Sequence, residues 1–337
     1  MSISIRDVAQ RAGVSVSTAS RALNDKPDVA RDVRERVRQA ARDLNYTINV
    51  HARALVGGRS KTLGLIIPDS AEPFFAQVAR GVTDAATRHG YSIIVCNTNE
   101  QAAPELQAHH MLREKRVDGL LTSSVQSGSA PVRRFLAEGI PCVLLNRCLA
   151  DLVVDCVLSD YRQGAFDATA HLYSLGHRDI AHLTWRDDRY SVRERVVGYR
   201  EALEAYGLLF DPTRVLRTTP DADAIYQFVR AEVVSLQPRP TAIFVYNDRF
   251  SVIVLKALRD AGWRVPEDAA LVGYDDLEFA RFLEPPLTTV AQRPYDIGQT
   301  GAEILLERLQ WPEDQPWAPR RVVLRPELRV RASSGAR

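Results

Sequence analysis

Apolar residues recur at helical spacing in three short runs at the start of the chain. From Leu63 onward the pattern changes to apolar strands alternating with amphipathic helices. In the first run Ser4 stands as an N-cap and Asp7, three residues on, completes a capping-box pattern. Val8 and Ala12 then share one face, and Gly13 supplies the left-handed turn that ends the helix. Ser15 caps a second predicted helix running to about Leu23. A third runs from about Asp32 to Leu44, with Val33, Val37, Ala40, Ala41 and Leu44 on one side. Residues 49–56 carry a further helical pattern closed by Gly57-Gly58. A segment of about eight residues is too short to be stable alone in water, so its helicity is expected to depend on a partner. The Gly-Gly-Arg-Ser-Lys stretch that follows reads as a linker.

The later pattern predicts strands at Leu63–Pro68, Tyr91–Asn97, Val117–Ser123 and Pro141–Asn146, separated by helices around 74–89, 101–115 and 131–138. After a break near 150–160 the rhythm resumes, with strands at Ile180–Thr184, Val215–Thr218, Thr241–Tyr246 and Ala270–Tyr274. The intervening helices lie near 161–175, 192–206, 222–236 and 249–261. Strands alternating with helices imply parallel sheets with crossover helices, and two groups of strands imply two α/β lobes. In such sheets a ligand sits beyond the carboxyl ends of the strands, and a cleft between lobes is the natural pocket.

Charge sharpens this picture. The chain of 337 residues has a net charge of only +2, yet residues 1–60 hold eleven Arg/Lys against six Asp/Glu while the remainder holds 33 against 36. A basic head on a mildly acidic body implies that the head alone meets a polyanion. Cys96, Cys142, Cys148 and Cys156 show no paired or metal-ligand spacing, and Cys96 and Cys142 fall in predicted buried strands, as free thiols of a reducing cytosol would. No apolar run is long enough to span a bilayer and no signal pattern opens the chain, so a cytoplasmic protein without a membrane partner is expected. An exported binding protein would need that signal and would lack the helical head. A nucleotide-dependent or hydrolytic enzyme would need a phosphate turn, a zinc-helix or a nucleophile-elbow motif, and none is found. His109-His110, on a predicted surface helix, reads as solvated. No catalytic residue, metal ligand or cofactor is expected.

Several runs of residues also carry a family resemblance. Ile5-Arg6-Asp7-Val8-Ala9, Ala12-Gly13-Val14-Ser15, Thr18-Ala19-Ser20-Arg21 and Leu44-Asn45-Tyr46 in the head resemble the LacI (lactose-repressor-like) family of bacterial transcription regulators. The likeness continues through Asn49 and Ala52-Arg53-Ala54-Leu55. In the body it continues at Pro73-Phe74-Phe75, Arg116-Val117-Asp118-Gly119-Leu120, Leu175-Gly176-His177-Arg178, Arg195, Gly198-Tyr199, Pro240-Thr241-Ala242, Asn247-Asp248 and Gly273-Tyr274-Asp275-Asp276. It covers essentially the whole chain in order.

The resemblance implies a helix-turn-helix domain over 1–48, a hinge helix and linker over 49–60, and a two-lobed core like periplasmic sugar-binding proteins. One lobe would comprise 61–160 plus 291–320, the other 161–290 plus 321–332. The second helix would lie in the major groove of double-stranded operator DNA, with Val16, Ser17 and Arg21 at base-reading positions. Ser15, Thr18, Ser20 and Asn24 would bind phosphates and set register, with Tyr46 and Asn49 also on the DNA side. Leu55 matches the hinge leucine that wedges into the minor groove. Two departures stand out: Ala30 replaces a hydroxyl cap at the start of the third helix and Val33 replaces a phosphate-binding threonine, with Asp28 or Asp32 left to compensate at the helix start.

In the core, Asn247, Asp275 and Arg195 put an amide, a carboxylate and a guanidinium around one cleft, which suits a polyhydroxylated ligand, and Phe74 at the mouth can stack on an apolar ring face. By resemblance Asp69, Asn146, Arg147, Arg189 and Ser191 join them as effector-binding residues. The arginines at 147 and 189 leave room for a sugar acid or phosphate. Paired hinge helices imply a homodimer on a roughly palindromic site, and the short segment after the last strand carries no heptad tail that would make tetramers. The resulting expectation is a repressor controlled by a sugar-like effector.

Overall fold

The computed structural model describes residues 3–23, 26–46, 59–187, 189–312 and 314–335. It falls into two compact units, a helical head within residues 1–61 and a core from Thr62 onward.

In the head, α1 (Ile5–Ala12), α2 (Val16–Leu23) and α3 (Arg31–Asp43) enclose a small core of Val8, Ala9, Ala12, Ala19, Ala22, Val29, Val37, Ala40 and Ala41. Alanine at so many contacts lets the helices approach closely but buries little apolar area per residue, so local caps matter. The Asp7 carboxylate accepts the Ser4 backbone N–H at 2.7 Å and the Ser4 hydroxyl at 2.8 Å, tying down the first turn of α1. Gly13, at φ 65°, ends α1 in the left-handed conformation that glycine adopts without steric cost. Ser15 Oγ then accepts the Thr18 N–H at 3.1 Å and caps α2. Ala30 offers α3 no side-chain cap. Val33 packs against the head core, which accounts for an apolar residue at that position.

In the core, the first lobe runs β1 (Thr62–Ile67), α4 (Pro73–Arg88), β2 (Ser92–Asn97), α5 (Ala102–Glu114), β3 (Gly119–Thr122), α6 (Ala130–Ala137), β4 (Cys142–Leu145) and β5 (Asp155–Ser159). The second runs α7 (Tyr161–Ser174), β6 (Ile180–Trp185), α8 (Tyr190–Ala205), β7 (Val215–Thr218), α9 (Ala222–Phe228), β8 (Ala242–Val245), α10 (Asp248–Asp260), β9 (Ala270–Asp275) and β10 (Thr288–Ala291). The chain then returns through α11 (Pro294–Gln310) and β11 (Arg321–Leu324) to the first lobe, and ends with β12 (Glu327–Arg329) in the second.

The sheet orders are β11-β5-β4-β3-β1-β2 and β12-β10-β9-β8-β6-β7, so the two lobes repeat one winding. All strands pair in parallel except β12, which runs antiparallel to β10. Strands covered by helices on both faces read as near-continuous apolar runs, as β1 (Thr-Leu-Gly-Leu-Ile-Ile) does after its first residue.

Two sequence expectations change here. The supposed break near 150–160 contains β5, a fully buried strand. Residues 321–324, expected in the second lobe, pair with that strand instead, in the register Arg321↔Cys156 to Leu324↔Ser159. The two corrections are linked, because β5 is the strand that β11 pairs with at the edge of the first sheet.

Each crossover helix is seated by glycine. α11 enters the first lobe and crosses α4 so closely that a Cβ at Gly298 would collide with the Val78 carbonyl, and one at Gly81 with the Tyr295 carbonyl. In the second lobe Gly198 of α8 meets the Arg162 carbonyl of α7 in the same way. Because the obstacle is backbone, it cannot rotate aside. Gly298→Ala is therefore expected to destabilise the core by about 1–3 kcal/mol from overpacking, more than the roughly 1 kcal/mol that alanine gains in helix propensity. Thermal or urea unfolding of the variant measures this, and a raised melting temperature would contradict the packing described.

Candidate functional site

Both sheets present their carboxyl ends to a cavity of about 370 Å³ between the lobes. All nine residues singled out in the core from sequence line it: Asp69, Phe74, Asn146 and Arg147 from the first lobe, and Arg189, Ser191, Arg195, Asn247 and Asp275 from the second. The reason is topological. Asp69 follows β1, Asn146 and Arg147 follow β4, Arg189 follows β6, Asn247 follows β8 and Asp275 ends β9, so each reaches the cavity by leaving a strand on the same side.

The floor is built around Arg195. On α8, Ser191 and Arg195 are four residues apart and face the cavity together, while Gly198 and Tyr199 pack inward. Arg195 is 2% exposed. Its Nη1 donates to the Tyr246 carbonyl at 2.6 Å, and Nη2 lies 3.9 Å from Asp275 Oδ1. The rings of Tyr274, Tyr246 and Tyr161 surround the guanidinium at 3.8, 4.3 and 4.9 Å. Arg195 Nε is buried with no protein partner. The Ser191 and Tyr246 hydroxyls are 3.2 Å apart.

Asp275 faces this cation from β9 and accepts the Gln292 amide at 2.6 Å. Burial pushes its carboxyl up to about 6, only partly opposed by Arg195 and Gln292. Asp248 beside it does not line the cavity. Its carboxylate accepts Thr289 Oγ1 at 2.6 Å and the Leu277 N–H at 2.8 Å, which fastens the strand ends, and burial raises its carboxyl well above the usual range. Asn247 caps α10 through its Oδ1, accepting the Phe250 N–H at 2.9 Å. Asn146 Oδ1 accepts the Ser159 N–H at 3.3 Å.

Around the mouth, Phe74 packs edge-on to Phe75, and Arg189 lies 3.7 Å over the Trp185 ring. Two ion pairs cross from lobe to lobe here, Arg189 to Glu100 at 3.0 Å and Arg249 to Glu72. Four of the eight described non-glycine residues with positive φ line this cavity (Asn99, Glu100, Asn146 and Asp275), so backbone strain concentrates where a ligand would sit.

Sequence reading missed Tyr161, Trp185, Tyr246, Gln292 and Glu100. The available signal was position, since each lies at, or within a few residues beyond, the carboxyl end of a strand. His109 was also misplaced. It is 4% exposed, with its ring 5.6 Å edge-on to Phe135 and its Nε2 4.0 Å from Glu105 Oε1. Burial depresses its imidazole to about 4. Glu105 is buried because it accepts Ser124 Oγ at 2.6 Å and the Gln126 and Ser127 N–H groups at 2.8 and 3.1 Å, a clasp on the loop after β3. His110 is exposed.

In the head, Val16, Ser17 and Arg21 are exposed on one face of α2, opposite buried Ala19 and Ala22. An exposed valine beside a serine and an arginine fits no core. Ser15 Oγ lies 2.8 Å from the Ser17 and Thr18 hydroxyls, and Ser20 is half-buried. The Arg21 guanidinium pairs with Asp28. Asp28 is thereby engaged with α2 rather than with the start of α3, where Asp32 alone adds a negative charge. Tyr46 is half-buried against the head core, its N–H donating to the Ala41 carbonyl at 2.8 Å. Asn24, Asn49, Leu55 and the expected hinge helix lie outside the described residues.

Comparison with known proteins decides the family. Residues 4–49 match the family model for bacterial regulatory proteins of the lacI family, and 169–334 match a periplasmic binding protein-like domain. The HTH-type transcriptional repressor PurR of Photobacterium profundum is 32% identical over 98% of both chains. The chain belongs to the LacI family. Among solved structures of this family's architecture, a transcriptional regulator CelR–cellobiose complex aligns with TM-score 0.74 at 32% identity over 98% of this chain and 99% of that one. The lac repressor dimer bound to operator and the anti-inducer ONPF aligns with TM-score 0.84 at 26% identity over 99% of each. This LacI-family chain is thus an HTH-type regulator of transcription whose DNA binding answers to an effector, and it is not an enzyme.

The raised Asp275 carboxyl has a measurable consequence. A group protonated more readily in the folded than in the unfolded chain stabilises the fold fully below its unfolded value of 3.8, and that contribution is lost as pH rises through about 6. The difference corresponds to a contribution on the order of 3 kcal/mol. Asp248 acts with the same sign and is raised in part by the Asp275 charge, so Asp275→Asn removes the Asp275 contribution and eases Asp248 as well. The variant is expected to be more stable than the parent above pH 6 and to lack part of the parent's gain between pH 6 and 4. Parallel stability–pH curves for the two proteins would show that Asp275 is not strained by burial.

Proposed function

We propose that a dimer of this chain represses transcription from a roughly palindromic operator, and that a sugar-like effector in the interlobe cavity controls that binding. The observation that carries the ligand reading is the floor of the cavity, where Arg195, Asp275, Asn247, Asn146 and Ser191 offer donors and acceptors beside tyrosine and phenylalanine rings. Such a set bonds vicinal hydroxyls while the rings cover the apolar face of a sugar. The cellobiose-bound neighbour supports the same class of ligand. Asp69, Phe74, Arg147 and Arg189 complete the proposed effector-binding wall.

On the DNA side, Val16, Ser17 and Arg21 would read base edges and Ser15, Thr18 and Ser20 would hold phosphates, with Asn24, Tyr46, Asn49 and the wedge Leu55 completing the contact. Arg21 must leave Asp28 to reach a guanine. An exposed ion pair is worth up to about 1 kcal/mol, whereas a bidentate contact to guanine discriminates by about 1–3 kcal/mol, so the exchange favours DNA. The exposed Val16 contributes only apolar contact, for example to a thymine methyl. Two copies follow from the symmetry of such operators, and the operator-bound dimer of the lac repressor neighbour supports the same assembly. The working place is the bacterial cytoplasm, at the nucleoid when operator-bound. Among the described residues no helix is long and apolar enough to cross a membrane.

Arg21→Ala is expected to weaken binding to the specific operator by roughly 5- to 150-fold while leaving non-specific binding nearly unchanged. Gel shifts with operator and scrambled duplexes measure this, and an equal loss on both would reduce Arg21 to a phosphate contact. For the cavity, one sugar in a thermal-shift panel should raise the melting temperature, since a ligand bound only by the folded chain stabilises it. Arg195→Ala should abolish that shift and leave operator binding intact. A full shift in the variant would remove Arg195 from the site.

A further inference from the structure

The cavity wall contains a feature that a general sugar site does not need. Among the described residues, four arginines and four carboxylates line it, and each arginine already has an acidic partner. The pairing is densest at Glu100. Its Oε1 accepts Arg189 Nη1 at 3.0 Å from the second lobe and Arg147 Nη2 at 3.4 Å from the first, and its Oε2 accepts Gln126 Nε2 at 2.8 Å. Arg189 is held from its other side by Asp187. The side chains of Arg147 and Arg189 are only 9% and 13% exposed, so neither guanidinium relies on water.

Without Glu100, two desolvated arginines would converge on one spot, which is how a carboxylate or a phosphate is recognised. The backbone shows that placing a carboxylate there is demanding. Asn99 and Glu100 sit at φ 49° and 57°, two consecutive non-glycine residues in the left-handed region. Such strain persists only where the surrounding contacts over-determine it.

Resting on the reading of this cavity as the effector site, we propose that Glu100 is a specificity filter: it occupies the anion seat between Arg147 and Arg189 and thereby restricts the site to uncharged ligands. An anionic ligand would have to evict Glu100 and then lie against the displaced carboxylate. A neutral polyol meets Arg195, Asp275 and the amides without disturbing the seat. The two arginines are therefore the counterions of an internal carboxylate and are not receptors for a sugar acid or a phosphorylated sugar. The same carboxylate links the lobes through Arg189, so filter and interlobe contact are one group.

Inorganic sulfate tests this without knowledge of the effector, with the full chain, with chloride at matched ionic strength as the control for charge screening, and with saturability separating site binding from general salting-out by sulfate. Glu100→Gln keeps the shape and removes the charge. Glu100→Asn is the second variant, because asparagine accepts the left-handed backbone and should fold even if glutamine does not. The parent is expected to show no saturable stabilisation by sulfate. At least one variant should bind sulfate about ten-fold more tightly than the parent or better, read by thermal shift and calorimetry, and should lose the gain when Arg189→Gln is added. That last step separates the seat from the basic head. Saturable, Arg189-dependent sulfate binding by the parent would overturn the proposal, as would folded Glu100 variants that gain nothing. The sugar panel reports separately: a panel with no responder while a Glu100 variant gains sulfate would sink the effector reading and leave the anion seat standing, and a sugar response through Arg195 without any sulfate gain would sink the filter alone.

Discussion

A guanidinium taken wholly out of water has to be compensated on every side, and Arg195 organises the receptor core around that requirement. One nitrogen is held by the Tyr246 carbonyl, another faces Asp275, and three tyrosine rings close over the cation. None of these partners lies on the helix that carries Arg195. Tyr161 begins α7, Tyr246 follows β8, and Tyr274 and Asp275 end β9, so the charge ties together the ends of several strands. A buried ion pair of this kind is weak evidence for stability, because desolvation offsets much of its attraction. Its carboxylate is left strained by burial, and its Nε lacks a protein partner. Such an arrangement is pre-organised for something that brings its own donors and acceptors.

Two parallel sheets wound in the same order set the frame. The chain passes between them after β5, after β10 and after β11; glycines clamp α11 against α4 in the first lobe and α8 against α7 in the second. The lobes are thus joined by three passes of the chain, with ion pairs reaching across the mouth of the cleft. Relative motion of lobes is the default for pieces connected in this manner. A ligand that prefers one arrangement shifts the population toward it by its differential affinity.

The head solves a different problem. Its core is largely alanine and valine, so its helices hold together through close approach and caps, and the outer face of α2 leaves Val16, Ser17 and Arg21 exposed. Arg21 is paired with Asp28, which lowers the cost of keeping a cation on a small basic domain.

The three head helices, the alternation of strands and helices in two lobes and the cleft at the carboxyl ends of the strands were legible in the sequence from periodicity, capping chemistry and the rule for parallel sheets. The family and most of the nine residues gathered at the cavity came from the resemblance of their motifs. Periodicity names the buried face of an element but not its partner. The pairing of β5 with β11, the burial of His109 and the engagement of Arg21 with Asp28 all join residues distant in sequence or in pattern, and only the folded chain brings them together. The same holds for Glu100: in the sequence it is one charge in a polar loop, and only the tertiary structure sets its carboxylate between two arginines from different lobes. Charge recognition depends on distance in space and on exclusion of water, and neither is written in the order of residues along the chain.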